Sequence, residues 1–61
     1  MTFQQRLKRI MKKRGWRVAD LARELGWPYT TVREWVLKGR TPAIEHRDVV
    51  YYRITGIENR P

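Results

Sequence analysis

The sequence predicts an all-α fold, a small bundle of four short helices arranged around a helix-turn-helix. Two observations carry that expectation. Gly15, Gly26, Pro28, Gly39, Pro42 and Gly56 cut the chain into four segments, each long enough for a short helix. Within those segments the apolar residues recur at helical spacing rather than alternating as in a strand. A third observation bounds the size. With 61 residues the chain is a single domain at most, and such a domain buries only ~60% of the surface its unfolded chain exposes. No second, ligand-sensing domain is expected, and dimerisation would be a natural aid to stability.

The first segment runs from Thr2 to Arg14. Phe3, Leu7, Ile10 and Met11 fall on one stripe of a helix, and Arg6, Lys8, Arg9, Lys12 and Lys13 cover the rest. Thr2 is placed to cap its start and Gly15 to end it. The second segment, Val18 to Leu25, gathers Val18, Leu21, Ala22 and Leu25 on one face, with Gly26 as its stop. The third runs from Pro28 to Leu37 or Lys38, with proline at the first helical position and Val32, Trp35 and Val36 turned inward. The fourth is expected from Ala43 to Ile54, with Val49 and Tyr52 on its buried side, and Ile44 or Glu45 near its start. Gly56 would then cap it in the left-handed conformation, letting Ile57 pack back on Tyr52. Only Val49 to Ile54 also reads as a strand, and it has no hairpin partner.

Charge narrows the partners. Lys and Arg number 14 against 6 acidic residues, a net charge of +8, which favours polyanions: DNA, RNA or an anionic membrane surface. There is no cysteine and a single His46, so neither a thiolate metal site nor a cofactor is expected. No apolar run approaches the ~20 residues of a membrane helix, and the basic start is not followed by a signal-peptide core. A cytoplasmic protein is the expectation. Glu45 and His46 have no nucleophile or paired carboxylate beside them, so they read as a helix start and the chain as a non-enzyme.

The informative stretch is Val18 to Pro42, VADLARELGWPYTTVREWVLKGRTP. Leu21, Ala22 and Leu25 on one helix would face Val32 and Trp35 on the next. Small Ala22 suits a close crossing and Gly26 the turn. That arrangement leaves the second helix on the outside, where it can enter a major groove. Leu21, Ala22, Leu25, Gly26, Val32, Trp35, Gly39, Arg40 and Pro42 together resemble the Cro/CI-type helix-turn-helix family of phage and bacterial regulators. The likeness extends from Leu7 to Ile57.

The resemblance implies a sequence-specific, double-stranded DNA-binding transcriptional regulator, a Cro-like repressor with helix 28–37 in the groove. It would work in a bacterial or phage-infected cell, with residues 1–57 as the DNA-binding domain and 58–61 as a frayed tail. Tyr29, Thr30, Arg33 and Glu34 would meet base edges. Arg33 can bind guanine O6 and N7 with both arms of its fork. Glu34 can accept from cytosine N4 or orient Arg33. Arg17, Lys38 and Arg40 would meet phosphates, fixing register and adding salt-dependent affinity. A homodimer would read two half-sites about one helical turn apart.

Two features depart from the family pattern. Arg17 and Pro28 stand where Ser or Thr often caps each motif helix; Arg17 forgoes a cap worth ~1 kcal/mol, which Asp20 can partly offset. Two other readings remain open. Thr31-Val32, Gly39-Arg40 and Pro42-Ala43-Ile44 also look like the winged-helix excisionase pattern, which would make residues 44–54 strands of a minor-groove wing. A protein-binding module without DNA is the third. Trp16 and Trp35 are expected in the core, Trp27 in core, dimer surface or backbone contact, and Lys12, Lys13 and Arg14 either on a solvated face or near DNA.

Overall fold

Thr2 starts the first helix through local hydrogen bonding. In the computed structural model, which describes residues 1–61, its hydroxyl accepts the Gln5 N–H at 3.1 Å, and its own N–H donates to Gln5 Oε1 at 2.8 Å. This reciprocal capping box satisfies two donors that a helix start leaves open. Helix α1 then runs Phe3–Arg14, α2 Val18–Leu25, and α3 Tyr29–Lys38. A 3-10 turn at Ile44–His46 leads into α4, Arg47–Glu58. No strand is present, so the chain is an all-α, four-helix bundle.

Each helix gives three side chains to one core: Phe3, Leu7 and Ile10; Leu21, Ala22 and Leu25; Val32, Trp35 and Val36; Val50, Ile54 and Ile57. Full burial of a Val, Leu, Ile or Phe side chain is worth about 1.5–3 kcal/mol. α2 packs chiefly against α3, while α1 touches α3 and α4. No helix is long and apolar enough to cross a membrane.

Long cations tie the helix ends together. Arg14 Nη2 donates to the carbonyls of Ile57 at 2.7 Å and Arg60 at 3.2 Å, so a positive charge sits on the negative end of α4. Arg53 does the same for α2, donating to the Leu25 carbonyl. Gln4 Nε2 donates to the Val36 carbonyl near the end of α3 at 2.8 Å. Arg6 grips Glu58 with two bonds, 2.6 and 3.2 Å, joining α1 to α4.

The structure corrects the fourth segment most. Its α-helix begins at Arg47 rather than Ala43 and ends at Glu58 rather than Ile54. Gly56 is helical, not a left-handed cap. The buried face is also rotated: Val50, Ile54 and Ile57 are inside, whereas Val49 and Tyr52 are exposed. The physical reason is Tyr51, whose ring stacks on Phe3 at 5.2 Å and so fixes a rotation of α4 that buries Val50 and Ile54 and leaves Val49 and Tyr52 outside. The tail expected from Glu58 begins one residue later, and Arg60 is held by Glu24 at 2.9 Å. The wing of the excisionase-like reading is absent, since residues 44–54 are 3-10 turn and helix. Pro28 flanks α3 instead of opening it, and its carbonyl accepts the Val32 N–H at 3.1 Å.

Arg17 places no side-chain cap on α2. Instead Asp20 Oδ2 accepts the Arg17 N–H at 2.9 Å, and its other oxygen meets Arg23 at 2.6 Å. That backbone bond, with help from Arg23, holds the Asp20 carboxyl below its usual pKa. The bond from Arg6 lowers Glu58 likewise. Both folded pKa values are depressed, so both contributions are present above the unfolded carboxylate values near ~4 and lost as pH falls through the lower folded ones. The melting temperature should therefore hold steady down to about pH 5 and drop below about pH 4. The double variant Asp20→Asn/Glu58→Gln should melt lower at neutral pH and show a shallower acid decline. An unchanged acid limb in thermal melts would refute this.

Candidate nucleic-acid interface

α3 is held by its inner face. Val32, Trp35 and Val36 are buried in the core, and that fixes the rotation of the helix about its own axis. Residues on the opposite side must then point to solvent. Tyr29, Thr30, Arg33 and Leu37 are all exposed, and their spacing of three and four places them on one continuous strip. A ten-residue helix is about 15 Å long, so the strip spans nearly all of it. Arg33 makes no hydrogen bond or ion pair within the chain. All five of its N–H donors are free for a partner.

Glu34 stands apart from the other expected base readers. It is half-buried, and its carboxylate lies 3.6 Å from Lys38 Nζ and 3.9 Å from Arg40 Nε. The charges it meets are thus the two expected phosphate contacts rather than Arg33. Its Oε2 is shielded from solvent and accepts no hydrogen bond of good geometry. The Arg40 N–H donates to the Glu34 carbonyl at 3.4 Å, folding the chain back at the end of α3. Glu34 acts here as a brace that gathers Lys38 and Arg40 at one end of the exposed strip. Arg17 is exposed at the start of α2, where the first N–H groups of that helix are also open.

The turn between α2 and α3 is built tightly. Gly26 adopts φ 72°, a left-handed conformation that costs other residues steric strain. Its N–H closes on the Ala22 carbonyl at 2.9 Å and the Trp27 N–H on the same oxygen at 3.1 Å. A side chain at Gly26 would bring its Cβ to 2.7 Å from Arg53 Nη1. Trp27 is half-buried: it packs on Trp35 at 6.3 Å, meets His46 edge-on at 5.6 Å, and lies under the Arg53 guanidinium at 5.6 Å. Trp27 thus belongs to the scaffold that sets the angle between the two motif helices.

Arg53 is the supporting residue that reading the sequence missed. It contacts Trp27 from 26 residues away and the Leu25 carbonyl from 28, distances over which no local pattern carries information. Arg14, expected on a solvated face or near DNA, instead binds the carbonyl end of α4 and lies over the Trp16 ring. Lys12 and Lys13 are exposed. No protein-family model, curated protein or solved structure matches the chain.

Proposed function

We propose that this chain is a sequence-specific, double-stranded DNA-binding transcriptional regulator, a Cro-like repressor acting in the cytoplasm of a bacterial or phage-infected cell. Its α3 enters the major groove and Arg33 reads guanine. The observation that carries this reading is the exposed strip of α3, with an unengaged Arg33 at its centre, on a chain of net charge +8. Tyr29 and Thr30 flank Arg33 near the helix start, where side chains of a recognition helix reach base edges. Leu37, 55% exposed, offers an apolar surface suited to a thymine methyl. Arg17, Lys38 and Arg40 meet the phosphates on either side, and Glu34 holds the latter two in place. The protein performs no catalysis in this role.

An anisotropy titration tests the reading, using a duplex recovered by selection from a random pool and an unrelated duplex of equal length. Preference for the selected duplex by about 10³-fold or more at physiological salt is the expected result. Equal affinity for every duplex would remove the sequence-specific claim. Arg17→Ala should weaken both duplexes alike and reduce the slope of log affinity against log salt by about 0.9, the signature of one lost phosphate contact. A loss confined to the selected duplex would instead make Arg17 a base reader.

A further inference from the structure

The outward face of α1 carries charge that nothing inside the chain neutralises. Lys8, Arg9, Lys12 and Lys13 are all exposed and stand three or four residues apart. They form one strip on the side away from buried Phe3, Leu7 and Ile10. Their side chains make no hydrogen bond or ion pair, whereas the other basic side chains, save Arg17, Arg33 and Arg47, each meet a carboxylate or a carbonyl. Glu58, at the edge of this face, is already taken by Arg6 and meets Arg9 only through longer-range attraction. Lys12 and Lys13 lie in the last turn of α1, where the helix dipole favours cations. Lys8 and Arg9 lie mid-helix, beyond that effect, and each has a like charge four residues on. Such pairs destabilise a helix, so local structure does not account for the cluster.

The strip also faces away from α3. Phe3 of α1 and Trp35 of α3, both buried, meet edge-on at 5.7 Å. The inner faces of the two helices thus look at each other, and their outer strips look in opposite directions. The domain measures 29 × 23 × 20 Å, so one straight duplex lying along α3 cannot also lie along α1.

The chemistry of the strip selects its ligand. Lys8 to Lys13 spans about 7.5 Å of helix, and duplex DNA presents about four phosphates over that length. α1 has no exposed aromatic side chain on which an unpaired base could stack. Its apolar side chains are in the core rather than free to enter a membrane surface. Nor does the strip hold an aromatic or apolar anchor of the kind that dominates protein interfaces. We propose that α1 binds the phosphate backbone of a second DNA duplex, without reading its sequence, so that the protein bridges two duplex segments. The bridge rests on the α3 reading for its first duplex; the α1 contact does not.

Two dyes test it at physiological salt. Protein saturated with a short, green-labelled selected duplex is titrated with a red-labelled unrelated duplex to about 100 µM, the range of sequence-independent binding, and co-sedimentation of the dyes is read. Wild-type chain should carry both dyes. Its affinity for the second duplex should fall against salt, log on log, with a slope of about −3 to −4, as for four phosphate contacts. Lys8→Gln/Arg9→Gln/Lys12→Gln/Lys13→Gln should keep its helix content by circular dichroism and its affinity for the selected duplex, yet lose the red dye. Lys8→Arg/Lys12→Arg/Lys13→Arg should retain the red dye, because a phosphate contact needs only the charge. Anisotropy on the selected duplex reports α3 and capture of the red dye reports α1, so either reading can fail alone. Loss of affinity for the selected duplex in the glutamine variant would put the strip on the first duplex and overturn the proposal. So would a wild type that never carries the red dye, or one that binds vesicles of equal parts phosphatidylserine and phosphatidylcholine in its place.

Discussion

Arg33→Ala is expected to lower affinity for the selected duplex by about 1–3 kcal/mol, or roughly five- to 150-fold. Affinity for unrelated DNA should fall far less, because the lost interaction is with a base edge. The expectation follows from geometry: the guanidinium is exposed, makes no bond within the chain, and projects from the middle of a helix whose other face is locked. For the same reason the variant should fold as well as wild type, with unchanged helix content and melting temperature. Arg33→Lys separates two roles. It keeps the charge but loses the planar fork that matches guanine O6 and N7. If Arg33 reads a base, lysine should recover only part of the affinity and relax the preference at one position of the site. Should lysine restore binding fully on both selected and random duplexes, Arg33 would be a phosphate contact.

The reasons this face is legible in the sequence also explain what was not. Val32, Trp35 and Val36 sit in a local pattern that fixes which side of α3 is buried, so the outward places of Thr30, Arg33 and Leu37 follow from helical period alone, whereas Tyr29, which that period puts at the side of the helix, is exposed at its tip. The capped start of α1 and the Gly26 turn are likewise local chemistry. The phase of the fourth helix is ambiguous in its sequence. Val49, Val50, Tyr51, Tyr52 and Ile54 supply apolar side chains on nearly every side, and a stacking partner 48 residues away, Phe3, chooses among them. Glu34 illustrates the limit for the site. Helical period places it near the surface, but its pairing with Arg40 depends on how the chain turns after Gly39.

Trp35→Ala is the substitution expected to do most damage to the fold. Trp35 is 3% exposed, meets Phe3 edge-on at 5.7 Å and packs on Trp27. It thus joins α1 and the motif turn to α3. Removing a buried tryptophan costs about 3–5 kcal/mol, while a domain of this size holds only ~3–5 kcal/mol in all. The variant should therefore be largely unfolded at 25 °C, seen as lost helical circular dichroism and no cooperative denaturation. It should bind DNA weakly and without preference, since its charge survives while its geometry does not. Trp35→Phe gives the sharper test. Phenylalanine fills part of the volume and should leave a folded, less stable protein. Any looseness it introduces lets α3 rotate about its axis, and small misplacements of Arg33 spoil a bidentate contact before they spoil a phosphate contact. Preference for the selected duplex should then fall more than affinity for random DNA. Equal losses on both duplexes would mean that the buried face of α3 holds the domain together without setting the angle at which Arg33 is presented.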